Sequence, residues 1–180
     1  MLLSTGQIEQ ALHQRFTPLL EEMPELKVYR LKPRCAPCPV AQLERRLNVQ
    51  LAPAFITFLN RYDLDDFTLG PITFGIGGDY LEHLIALNHE QAESPWWSTA
   101  QRPAQQLVVA TSDPYAIVLD CNDEQVYAIT HTPTAQDGLP VAANFELLVQ
   151  GIASGFLQAA DAKVIQHLVQ SRHPDFWQQI

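Results

Sequence analysis

Residues 39–62, PVAQLERRLNVQLAPAFITFLNRY, constrain the fold more than any other stretch, because they spell two short amphipathic helices back to back. Pro39 suits a first helical turn, where the amide it lacks would have no partner anyway. Val40, Leu43 and Leu47 follow at spacings of three and four and share one face, while Gln42, Glu44, Arg45 and Arg46 take the other. Asn48 and Val49 break the run. Pro53 then opens a second helix whose apolar side is Phe55, Ile56, Phe58, Leu59 and Tyr62. Each large side chain is worth roughly 1.5–3 kcal/mol once buried, so the pair needs a core to pack on. Neither helix carries a catalytic pattern.

Around this pair the chain alternates short elements. Ser4 with Gln7 three places on has the form of a capping box, and Ile8, Ala11, Leu12 and Phe16 keep helical spacing behind it. Residues 26–32, LKVYRLK, read as a strand, since Val28 and Tyr29 favour extended structure. Two short strands, 67–69 and 72–74, flank the turn signal Gly70-Pro71, and Asp79 is placed to cap a helix holding Tyr80, Leu81, Leu84 and Ile85. Residues 107–110 form a continuous apolar run, a buried strand. Residues 115–120 and 125–130 form a hairpin across the polar connection Cys121-Asn122-Asp123-Glu124. Asn144 precedes a helix marked by Phe145, Leu148, Ile152 and Phe156. A last amphipathic helix spans about 162–173, with Val164, Ile165, Leu168 and Val169 on one face. Antiparallel hairpins with helices outside them describe an α+β chain, an antiparallel or mixed sheet with helices packed around it. At 180 residues it is expected to be one domain, 1–180.

Charge narrows the partners. Twenty acidic against eleven basic residues leave a net charge of -9. That argues against nucleic acid, whose binders carry basic patches, and against an anionic membrane surface. It suits a basic protein partner. No apolar run approaches the ~20 residues that span a bilayer, and no secretory signal is visible at the N-terminus. Three cysteines make no disulfide framework, which points to a reducing cytoplasm.

Few motifs carry chemistry. Cys35-Ala36-Pro37-Cys38 could run thiol–disulfide exchange, but it follows Lys32-Pro33-Arg34 rather than a buried strand. The cis-proline such a site needs has only Pro140-Val141 as a candidate. Zinc would require a second close pair of ligands, and Cys121 stands alone. The histidines (13, 83, 89, 131, 167 and 173) show no metalloprotease spacing; His131 could act as a base but has no evident nucleophile. Gly75-Ile76-Gly77-Gly78 lacks phosphate-loop spacing and fits a ribbon end that needs positive φ. No cofactor or metal is expected. The densest acidic region is Asp63, Asp65, Asp66, Asp79 and Glu82, with Glu90, Glu93, Trp96 and Trp97 further along. These could form an acidic rim around aromatic anchors. Equally, the acids could be solvated and the tryptophans packed inward.

Three stretches together resemble the SUKH superfamily, the fold of fungal Smi/Knr-type regulators and of many bacterial immunity proteins. LERRLNVQLAPAFITFLNRYD is similar to the family's helix, break, leucine-proline, helix pattern, with Leu51-Ala52-Pro53 in place of a direct Leu-Pro. ATSDPYAIVLDCNDEQVYAIT is similar to its three strands, with Pro114-Tyr115 where a glycine is usual. VAANFELLVQGI is like its closing helix. The likeness covers roughly 39–156 and implies that the N-terminal helix and the last ~20 residues are additions. It also implies a non-enzymatic binding domain, in bacteria commonly one that neutralises a cognate toxin, often a nuclease. An acidic chain could compete there for a phosphate-binding surface. A thiol oxidoreductase using Cys35 and Cys38, and a regulatory scaffold with several weak partners, are the alternatives.

Overall fold

The computed structural model describes residues 1–89, 102–130, 132 and 134–180. Helix α1 (Thr5–Phe16) opens with the expected capping box: Ser4 accepts from the Gln7 amide, and the Gln7 side chain accepts from the Ser4 amide. The central pair is α2 (Val40–Leu47) and α3 (Pro53–Arg61). Pro39 stands just before α2, and Asn48, at φ 52°, ends it in the left-handed conformation that asparagine tolerates. Glu44 ties the break between the two helices by accepting from the Leu51 amide at 2.9 Å.

Strand β1 (Lys32–Pro33) pairs antiparallel with β2 (Tyr62–Asp63). The main sheet is antiparallel throughout, in chain order β3 (Thr68–Leu69), β4 (Ile72–Thr73), β5 (Gln106–Ser112), β6 (Tyr115–Asp120), β7 (Val126–Thr130) and β8 (Pro140–Ala142). Helix α4 (Tyr80–Asn88) lies between β4 and β5 in sequence; α5 (Phe145–Phe156), α6 (Ala162–Leu168) and α7 (Phe176–Gln179) follow β8. The chain is therefore α+β, with helices packed around an antiparallel sheet.

Three expectations change. Residues 26–32 do not form a strand. Pro24 starts a 3-10 turn, Pro24–Tyr29, and only Lys32–Pro33 is extended. The turn lets Tyr29 stack between Phe16 (4.7 Å between ring centroids) and Phe156 (5.4 Å), a contact that outweighs strand propensity. Among the described residues the cis peptide bond is Asp113-Pro114, in the β5–β6 turn, whereas Pro140 opens the edge strand β8. The helix expected over about 162–173 stops at Leu168, and the chain beyond it turns back into the core and forms the short α7.

One buried cluster joins Ile8, Leu12, Leu43, Phe55, Leu59, Phe74, Phe145, Ile165, Phe176 and Trp177. Segments expected to be additions to a 39–156 core thus supply part of it. Phe145 is its hub, meeting Phe55, Phe58 and Phe74 edge-on at 4.7, 5.0 and 5.9 Å. On β6, Ile117 and Leu119 face this cluster, while Ala116 and Val118 face a smaller one with Val108, Leu87, Tyr127 and Ile129. Asn88, 5% exposed, explains how α4 seats on β5. Its side chain donates to the carbonyls of Val108 and Leu84 and accepts from the Val108 amide, just where the β5 register shifts.

Candidate functional site

The five acids singled out from the sequence among the described residues converge on one corner, where the chain leaves α3 and later enters α4. Asp63 accepts from the Asp65 amide at 2.9 Å, a local turn that aspartate side chains favour. Asp66 sits at φ 54° and accepts from the Gly78 amide at 2.9 Å. Asp65 accepts from the Tyr80 amide at 2.6 Å. Asp79 caps α4 through the amides of Leu81 and Glu82. Glu82 grips Arg46 of α2 through both carboxylate oxygens, one pair at 2.9 Å. The carboxylates are therefore more than a solvated rim: four of them hold backbone in place and the fifth ties α4 to α2.

These bonds pin the 74–79 loop. Gly75 passes so close to the 64–66 turn that a Cβ there would lie 2.3 Å from the Leu64 carbonyl oxygen. Gly77 and Gly78 take φ of 77° and 105°, which side-chain-bearing residues rarely adopt. Between Gly75 and Gly77, Ile76 stands 62% exposed, an aliphatic side chain on a fixed loop amid acids. In the sequence its G-x-G-G setting reads as a ribbon end, so its exposure shows only in the fold. Its one sequence signal is an isoleucine at a glycine-rich turn.

Burial, with same-sign charge from Asp63 and Asp79 behind it, raises the Asp65 carboxyl above the usual carboxylate range; the Tyr80 amide offsets part of this. Tyr80 itself is fully buried and donates to the Val109 carbonyl at 2.9 Å, and burial drives its phenol far up.

The cysteine motif flanks the same corner. Cys35 is exposed and Cys38 is 7% exposed, both as free thiols. The Cys38 amide donates to Asn60 Oδ1 at 2.9 Å. Burial pushes the Cys38 thiol up, and the Arg34 guanidinium pulls it back only in part. Arg34 lies 3.9 Å from Asp63, with Nε and Nη2 buried and lacking a hydrogen-bond acceptor.

Trp96 and Trp97, with Glu90, Glu93 and His131, lie outside the described residues. Among the described residues, no group of three or more His, Cys, Asp or Glu side chains is arranged to hold a metal ion, and no helix is long and apolar enough to cross a membrane. Compared with known proteins, the chain matches no family model, no curated sequence and no solved structure.

Proposed function

We propose that this chain is a non-enzymatic protein-binding domain that docks a basic protein on the acidic corner, with Ile76 as its apolar anchor. The observation that carries the reading is the fixed presentation of Ile76, 62% exposed, on a loop held by Asp65, Asp66 and the tight approach at Gly75. A loop already ordered loses little conformational entropy on binding, and surrounding acids steer a basic surface toward it. The net charge of -9 adds a long-range component. The SUKH likeness, which rests on three sequence stretches, makes the partner a cognate toxin, and a nuclease fits the charge. The protein would then work in the cytoplasm as an immunity factor.

The test must separate charge from scaffolding. Changing Asp63, Asp65 and Asp66 to lysine would dismantle the loop. Asparagine keeps each acceptor and removes only the charge. The partner is first captured on the immobilised protein and identified. With the purified partner, Asp63→Asn, Asp66→Asn and Asp79→Asn together should slow association about tenfold at low salt, the gap closing at high salt. Ile76→Lys should speed dissociation at any salt. Unchanged kinetics in both variants would sink this assignment.

Thiol–disulfide exchange is the competing reading, favoured by the exposure of the free Cys35 thiol three residues before Cys38. Its second thiol is buried and held protonated, which slows thiolate chemistry. Dithiol-dependent insulin reduction by the parent, lost in Cys35→Ser, would restore it.

A further inference from the structure

The segment 171–180 folds back over α5 and the β8 edge, and one imidazole holds its turn. His173 is 2% exposed. Its Nδ1 accepts hydrogen bonds from the amides of Asp175 (3.3 Å) and Phe176 (3.1 Å), where α7 begins. A ring nitrogen accepts only when it carries no proton, so these bonds require a neutral ring with its proton on Nε2. Tyr115 and Phe176 wall the ring edge-on at 6.3 and 6.1 Å. Beyond the turn, Phe176 is fully buried, Trp177 donates from Nε1 to the Val141 carbonyl at 2.9 Å, and Gln179 accepts from the Tyr115 hydroxyl. The placement of all three follows from a turn that one proton would break.

We propose that 171–180 is a proton-released strap: protonation of His173 at Nδ1 sets a donor against two amide donors, opens the turn and frees Phe176 from the core and Trp177 from α5. The surface uncovered is apolar. Gly151, Ile152, Gly155, Phe156 and Ile165 already line a cavity of about 270 Å³ that Trp177 helps to wall.

Among the described residues, the charged groups around the ring are Asp175 on the strap and Asp137 on the loop before β8. Asp175 accepts from Gln136, and Asp137 accepts from the Thr134 hydroxyl and the Thr130 amide. Arg172, also on the strap, reaches Gln125 of the β6–β7 connection. From α6 comes only the neutral Gln166, donating to the His173 carbonyl; from β6 comes the Tyr115 phenol. Burial lowers the ring's proton affinity and the two aspartates restore part of it, so the closed strap keeps a neutral ring at a pH where a free histidine is charged. Opening then grows as pH falls through about 6.5, by at most about tenfold per pH unit.

Hydrogen exchange of the full chain at pH 7.5 and 5.0, corrected for the intrinsic rate, reads this directly. The amides of residues 175–180 should lose about tenfold or more in protection at pH 5.0, while α2 and α3 keep theirs. His173→Asn supplies an acceptor with no proton to gain, so its strap should stay protected at both pH values. Equal protection of the parent strap at the two pH values, or acid opening in the asparagine variant, would overturn the proposal. Should that variant not fold, NMR titration of the parent decides. The His173 ring must protonate over the interval in which the strap opens; a ring that stays neutral through opening, or charges with the strap closed, overturns it equally.

Discussion

The carboxyl of Asp65 is held above the usual range chiefly by burial, with Asp63 and Asp79 adding repulsion, and it still accepts from Tyr80 at 2.6 Å. A raised folded value means that the folded chain binds the proton more tightly than the unfolded chain. That contribution is fully present below the ordinary aspartate value of about 3.9 and is lost as pH rises through the folded value. Asp65→Asn keeps the acceptor and removes the charge. In urea denaturation it should be at least as stable as the parent at pH 7, and it should lack the parent's decline in stability just above pH 4. A less stable variant at pH 7 would show that the charge itself is needed. Of the neighbouring acids, Asp79 was legible as a helix cap because a cap is local. The roles of Asp65 and Asp66 were not, because their partners lie 15 and 12 residues away.

At the scale of elements, local chemistry and tertiary contact divide the helices from the short strands. Helices α2 and α3 follow from apolar spacing and from Pro53 at the first turn, where proline is preorganised. Helix α4 depends on its cap: Asp79→Ala leaves the Leu81 and Glu82 amides without their acceptor. That should lower stability by about 1 kcal/mol in urea denaturation, while Asp79→Asn should cost far less. No measurable difference between the two would mean that water serves the helix end equally well. Residues 26–32 show the opposite case. Val28 and Tyr29 favour extended structure, yet Pro24 starts a turn and Tyr29 finds two aromatic rings to stack on. Strand β8 was hidden for a related reason: at three residues it is too short for a period, and the chain at Ala143, Arg172 and His173 hydrogen-bonds alongside it.

At the scale of the molecule, the ends of the described chain close the core. Trp177 lies against Gly151, where an added Cβ would fall 2.6 Å from the indole and 3.0 Å from a Val169 methyl. Gly151→Ala would gain about 1 kcal/mol in helix propensity and lose about 1–3 kcal/mol to overpacking. We expect a net loss in thermal or urea unfolding, with Trp177 displaced; a net gain would mean that the indole moves aside freely. From the sequence alone come the α+β class, the capped helices, the β6–β7 hairpin and the acidic excess, because periodicity, caps and turns are set within a few residues. Only the tertiary structure decided that the acids brace a loop presenting Ile76, that Phe145 joins three aromatic residues from other elements, and that His173 holds a strap over α5. Those outcomes depend on which distant donors, rings and backbones come within a few ångströms of each other, and residue spacing does not encode that distance.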